Sequence, residues 1–339
     1  MPAQGDIHID RALTNVSIAY QNEEFVGEQI APPLKVDKRS DKYFVYNKNA
    51  FLRGSGKDAN GRPKSLRRPG AEADEVDYDV SSTPFYCEEY AKKTLVTDAV
   101  VRIADMPLQP YIDATQVITE RLKIDNEIAT ASLTCTSTNY PAANKVLLTT
   151  GGAGTSWASY GSANSKPLSN IRDGKISVRK GIMRQPNSAL FSVDAAQVLA
   201  DHPDVKDLTK YTHSDGLSSS GLPKVLRGLN TIEGATQAAS SAEGAAFSSG
   251  NIWQDENGTN VSLIFYRSAD AGPRSMHFAR SFDAPDDTTG AQGINVRKYR
   301  WDIKKGTYVE AAFTRDWRFI AIDDNAKAIG GYLISGTTV

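Results

Sequence analysis

The segment Gln109 to Cys135 constrains the fold more than any other part of the chain. It contains no glycine, and its only proline, Pro110, stands at its start. Proline suits the first turn of a helix, where its missing N–H goes unused, and breaks an interior. Apolar residues recur along the segment at helical intervals. They predict a buried face made of Val117, Ile118, Leu122, Ile124 and Ile128, with Ala129 and Leu133 beside it. Glu120 and Lys123, Arg121 and Asp125, and Lys123 and Glu127 stand three or four apart, as opposite charges do on a helix surface. One long helix is predicted over about 109–134. It would measure roughly 35 Å if about 23 residues are helical.

What precedes this helix reads as extended. Residues 1–41 form an arm, with a short helix or turn at Ala12 to Tyr20 and an extended stretch around Pro32-Pro33. Residues 42–92 read as a long hairpin. Tyr43-Phe44-Val45-Tyr46 makes one strand, and Val76-Asp77-Tyr78-Asp79-Val80 alternates as the returning one. The loop between them is basic, with Arg53, Lys57, Arg62, Lys64, Arg67 and Arg68. The return is acidic, with Glu72, Asp74, Glu75, Asp77 and Asp79. Two successive segments of opposite charge predict docking onto a neighbouring copy of the chain.

Residues 93–144 hold a strand over Lys92 to Ile103 and then the long helix. Residues 145–290 read as a mixed α/β unit. Asn187 to Val193 forms a buried strand, and Asp194 caps a helix over Ala195 to Ala200. A second helical piece covers Val205 to Tyr211. Residues 291–325 read as hairpin strands, Val296–Trp301 against Tyr308–Phe313, followed by the strand Arg318–Ile322. Residues 326–339, with the apolar run Ala328 to Ile334, end the chain. The fold class is α+β.

Composition narrows the chemistry. The 39 Lys and Arg residues nearly balance the 40 Asp and Glu residues, so no overall polyanion-binding charge is implied. Cys87 and Cys135 are the only cysteines, which gives neither a disulfide framework nor zinc spacing and fits a reducing compartment. No stretch approaches the roughly 18 apolar residues of a membrane span. The four histidines, His8, His202, His213 and His277, stand apart from one another. No His-Glu-x-x-His motif occurs, so no metal site is expected. Gly54-Ser55-Gly56-Lys57 imitates part of a phosphate loop, but Phe51 replaces its first glycine and Asp58 its Ser or Thr. Asp286-Asp287 and Asp323-Asp324 read as solvated turn carboxylates. No catalytic constellation and no cofactor are expected.

The order of these parts, with several short stretches, resembles the major capsid proteins of tailed bacteriophages, which have the HK97-type fold. The stretches are Leu13 to Tyr20 with Ile30-Ala31-Pro32, Ser40 to Tyr46, Thr119-Glu120-Arg121-Leu122 through Ala129, Asn139-Tyr140-Pro141 with Trp157, His202-Pro203-Asp204-Val205-Lys206, and Gly330 to Ile334. The resemblance implies an N-terminal arm, an E-loop, a P domain with a spine helix, and an A domain. It implies a shell subunit, working by assembly rather than turnover. Hexamers and pentamers would close an icosahedral container around double-stranded DNA, contacted nonspecifically. Scaffolding and portal proteins are implied partners, and a decoration protein an optional one. The arm starts within about ten residues of Met1, so a separate scaffolding protein is expected, and no Lys–Asn crosslink is. The expected location is the virion, after synthesis in the host cytoplasm. An encapsulin-like cellular compartment shares this fold and is the alternative. A soluble α/β enzyme with a long flexible insertion is the alternative from another class.

Overall fold

Pro110 sits in the first turn of a helix that runs without interruption to Thr134. The computed structural model describes residues 13, 25–45, 61–62, 65–67, 69–70, 72–73, 81–104, 109–149, 154–210, 216–239, 248–269, 272, 275–286 and 290–338. Its elements begin with helix α1 (Gly27–Ile30) and strands β1 (Pro33–Lys35), β2 (Ser40–Val45), β3 (Ser81–Tyr86) and β4 (Glu88–Thr97). Helices α2 (Asp98–Ile103) and α3 (Pro110–Thr134) follow, then β5 (Lys145–Leu147), α4 (Pro167–Ile182), β6 (Ser188–Ser192), α5 (Val193–Asp201) and α6 (Pro203–Thr209). The remaining strands are β7 (Val225–Leu226), β8 (Leu229–Gly234), β9 (Gln237–Ala239), β10 (Ser249–Asn251), β11 (Val261–Phe265), β12 (Ala279–Asp283), β13 (Asn295–Trp301), β14 (Gly306–Phe319) and β15 (Gly331–Ser335).

The axis of the first sheet is β14. It pairs antiparallel with β4 along one edge, from Gly306 opposite Thr97 to Arg315 opposite Glu88. On its other pairings, β13 matches its first half and β12 its last five residues, with β1 parallel to β12 beyond. The two stretches Tyr308–Phe313 and Arg318–Ile322 therefore belong largely to one 14-residue strand. Helix α3 packs across β14 and β4.

The second sheet has the order β5-β15-β11-β6-β8-β7. Its central strands β6, β11 and β15 are buried at every residue, so apolar side chains emerge on both faces. Alternate residues serve different cores, as strand geometry requires. Leu190, Leu263, Phe265 and Leu333 join the core beneath α3. Ala189, Phe191, Ile264 and Ile334 join Ile171 and Val178 of α4 and Leu199 of α5 on the opposite face.

The sequence mispredicts several local features. Val100 and Val101 lie in helix α2 rather than in a strand. The turn begins at Asp98, held by both terminal guanidinium nitrogens of Arg300 at 2.6 and 2.8 Å. Asp194 does not cap α5. The cap is Ser192, whose Oγ accepts the Ala195 N–H, and Asp194 instead accepts from the Asn251 and Asn260 side chains. Helix α4 was hidden by its low apolar content, although Pro167 at its start and the pattern Ile171, Val178, Ile182 carry it.

The predicted buried face of the long helix also needs correcting. Ile118 and Leu122 are buried, Ile124 is half-buried, and Val117 and Ile128 are 49% and 43% exposed. The buried face is instead Thr115, Ile118, Thr119, Leu122, Asn126, Glu127, Thr130, Ala131 and Thr134. The physical reason lies in the threonines. The hydroxyls of Thr115, Thr130 and Thr134 each donate to the carbonyl four residues back, at 2.8, 2.9 and 2.8 Å. Satisfied inside the helix, such a side chain presents a methyl group to the core at little polar cost. It follows that Val117→Ala and Ile128→Ala should each move the subunit's unfolding free energy by no more than about 0.5 kcal/mol. Urea titration reads this, and a loss above about 2 kcal/mol would reinstate the apolar-stripe face.

Candidate functional site

For a chain without catalytic motifs, the informative sites are the places where extended segments are fastened to the body. The first is the root of the hairpin. Strands β2 and β3 pair antiparallel, from Ser40 opposite Tyr86 to Val45 opposite Ser81. Phe85 stacks on Phe282 of β12 with ring centres 4.6 Å apart, and Tyr43 lies 5.0 Å from the same ring. The Tyr43 hydroxyl donates to the Phe319 carbonyl at 3.1 Å, and the Tyr86 N–H donates to Asp316 at 3.0 Å. Cys87 is buried where β3 passes into β4, and burial pushes its thiol up to about 12, as it does that of Cys135. Both stay neutral thiols far from reactive range.

Of the predicted contact residues on this hairpin, Arg62, Arg67 and Glu72 are described and exposed. Arg53, Lys57, Lys64, Arg68, Asp74, Glu75, Asp77 and Asp79 lie outside the described residues. At the hairpin's base, Glu89 takes Arg39 at 3.5 Å and Arg297 at 3.2 Å, and Arg297 also pairs with Asp286. Asp286 is thus a buried partner of Arg297, not the solvated turn carboxylate its sequence setting suggests. Asp287 lies outside the described residues.

The second fastening holds the arm. Helix α1 lies on α3, and the Gly27 N–H donates to Glu127 Oε1 at 2.5 Å. Any Cβ at position 27 would stand 2.7 Å from that oxygen, so glycine is what permits the approach. Burial raises the Glu127 carboxyl to about 7, against the pull of the Gly27 and Val26 amides and with a further push from Glu28. One turn away, buried Arg315 of β14 donates to Glu28 of α1 at 2.8 Å and to Asn126 of α3 at 3.1 Å. Its Nε stands 3.5 Å from Asp283 of β12. Burial raises the Asp283 carboxyl, and the Arg315 charge draws it back. Arm, long helix and sheet meet at this one guanidinium.

None of this second site was found in the sequence. Lys123 and Glu127 read as a surface pair, but Glu127 is turned inward, and Asp125 is paired with Lys92 of β4 at 2.8 Å. The one available signal was Gly27, three residues before an apolar Ile-Ala-Pro.

Chemistry of other kinds has a structural explanation here. Ser165, His202 and Asp204 approach as a hydrolase triad would, with Ser165 Oγ 3.3 Å from His202 Nε2. However, His202 Nδ1 accepts the Asp204 backbone N–H at 3.2 Å, capping α6, and Ser165 Oγ donates to the Ser156 carbonyl at 3.0 Å. The imidazole proton therefore sits on Nε2, the wrong nitrogen for taking a proton from serine. Among the described residues there is no cluster of His, Cys, Asp and Glu able to hold a metal. No described helix is long and apolar enough to cross a membrane.

The overall arrangement matches known structures from end to end. A phage-related protein from Bordetella bronchiseptica RB50 superposes over 98% of both chains with a TM-score of 0.70 at 18% identity. The capsid of cyanophage P-SCSP1u superposes over 94% of this chain and 89% of its own, with a TM-score of 0.55 at 10% identity. The chain has the HK97-type capsid fold. The same fold serves the SrpI encapsulin of Synechococcus elongatus PCC 7942, with a TM-score of 0.53 at 12% identity, over 96% and 94% of the chains. In sequence, the chain is related to the major capsid protein of Burkholderia phage BcepMu, 26% identical over 204 residues. That match covers 60% of this chain and 61% of the phage protein, so it spans less than two thirds of that relative's length. No protein-family model matches the chain.

Proposed function

We propose that this HK97-type chain is the major capsid protein of a tailed phage, assembling as hexamers and pentamers into an icosahedral shell around double-stranded DNA. The observation that carries the proposal is the sequence relationship to a phage major capsid protein, joined to a capsid fold followed along nearly the whole chain. In this reading residues 1–41 are the arm, 42–92 the E-loop and 93–144 the P domain with its spine. Residues 145–290 are the A domain, 291–325 return to the P domain, and 326–339 close on the A domain. The subunit works by assembly in the virion. Scaffolding and portal proteins are its expected partners, and its synthesis takes place in the host cytoplasm.

Rooted extensions suit that work. The hairpin is fixed at its base by an aromatic cluster, so a pull at its far end is carried into the first sheet. Single exposed ion pairs contribute only about 0–1 kcal/mol, and a shell gains by repeating them over many copies. Electron microscopy of the purified protein tests the proposal, with closed shells of hexamers and pentamers as the expected result. Uniform monomers at every concentration and salt would overturn it. Nuclease-resistant double-stranded DNA inside particles from infected cells separates it from a cellular compartment, which would hold protein cargo instead.

The opposite charges along the hairpin support docking on a neighbouring copy. Reversing Arg62, Lys64, Arg67 and Arg68 together is expected to abolish shells while leaving the circular dichroism and melting of the subunit unchanged. Normal shells from that variant would rule out electrostatic docking by the E-loop.

A further inference from the structure

Arg172, Lys175 and Arg179 stand three and four residues apart on α4, so their side chains leave the helix on one side. With Ile176, Gln185 and Arg227 they line an open concavity of about 180 Å³. Arg227 enters it from the two-residue turn between β7 and β8, where Leu226 pairs with Leu229. That turn holds Arg227 at φ 53° and Gly228 at φ 75°. Such a turn calls for left-handed backbone at both positions, which asparagine and glycine adopt readily and arginine does not. The Lys175 Nζ donates to the Arg227 carbonyl at 2.5 Å and ties the turn to the helix. Asp173 pairs with Arg172 at 3.0 Å and offsets part of one charge. Lys224, exposed beside Arg227, extends the basic surface into an adjoining concavity.

We infer that this face of α4 and the β7–β8 turn is where the subunit contacts the phosphate backbone of the enclosed double-stranded DNA, an inference that rests on the capsid reading above. Guanidinium forks match phosphate oxygens. No aromatic side chain lines the concavity, so there is no platform for base stacking, and contact with the backbone alone is independent of sequence. A container for a whole genome needs that independence. The spacing fits as well. Arg172 to Arg179 spans about 10 Å of helix, the length over which one DNA strand presents about three phosphates at 3.4 Å of axis each.

The test uses the full-length protein and a fluorescent duplex of mixed sequence, titrated by anisotropy across a salt series. The variant carries Arg172→Gln, Arg179→Gln and Arg227→Asn. Arg227→Asn alone is the folding control, since asparagine suits the turn and its melting temperature should equal or exceed that of the parent. Each lost phosphate contact removes about 0.9 from the slope of log K against log salt. The triple variant should therefore lose about 2 to 3 in slope and at least about tenfold in affinity at low salt. An unchanged slope overturns the inference. So does selective loss of polyglutamate binding with duplex binding intact, which would make this face a site for acidic protein. So does saturation by inorganic phosphate without effect on the duplex, which would make it a free-phosphate site. The same variant is examined by electron microscopy. Shells with an unchanged slope remove this inference and leave the capsid reading standing, whereas a parent protein that forms no shells removes both.

Discussion

Arg315→Met is expected to destabilise the unassembled subunit by about 3–5 kcal/mol, the usual cost of removing one partner from a buried ion pair. Arg315 is only 6% exposed and is the shared partner of Glu28, Asn126 and Asp283. Methionine fills much of the volume and leaves the buried Asp283 carboxylate without its main counter-charge, Lys35 acting on it more weakly. The consequence has a pH signature. Burial already holds the Asp283 pKa above its ordinary value of 3.8, and loss of Arg315 raises it further. A folded-state pKa above the unfolded one means that protonation favours the fold. The deficit of the variant should therefore shrink as pH falls through the raised carboxylate range and be largest at neutral pH. Urea unfolding at a series of pH values measures it. A deficit below about 1 kcal/mol at pH 7 would show that the guanidinium does not fasten the arm to the sheet.

Glu127→Gln is expected to flatten the subunit's stability between pH 5 and 8, where the parent loses roughly 3 kcal/mol. The carboxyl is displaced by burial from 4.5 to about 7. Its folded pKa exceeds its unfolded pKa, so the stabilisation is complete below about pH 4.5 and is lost as pH rises through about 7. At 1.36 kcal/mol per unit, the displacement amounts to roughly 3 kcal/mol. Glu28 is the charged group that pushes on it, and Arg315 and Lys123 act on Glu28 in turn. Glutamine keeps an acceptor for the Gly27 N–H and removes the charge. Thermal melting across this pH range decides the matter, with equal slopes for parent and variant being the contrary result.

Both predictions concern residues that looked ordinary in the sequence. Glu127 stands four residues after Lys123, and that spacing describes a surface pair as well as it describes two residues with separate fates. Arg315 falls between the two strands expected at Tyr308–Phe313 and Arg318–Ile322, where a charged residue is ordinarily exposed. Only β12, α1 and α3 arriving around it make it a buried hub. The basic face on α4 was equally hidden, because Arg227 lies 48 residues beyond Arg179 and only the β7–β8 turn returns it to the helix. The hairpin's root was more legible, since Tyr43 and Val45 alternate as a half-buried strand must, although their partner Phe282 is far away in sequence.

The sequence by itself determined the long helix, through a stretch free of glycine and with proline only at its start, and paired strands such as Val296–Trp301 against Tyr308–Phe313. Those follow from backbone constraints and short-range periodicity, which each segment carries within itself. Which side of the helix is buried was decided only by the tertiary structure. Threonine hydroxyls bonded within the helix can be buried, and isoleucine or valine can be left exposed, so hydropathy along one segment does not fix its inward face. That choice depends on the shape and charge of the sheet packed against it, whose long central strand β14 lies far along the chain from the helix.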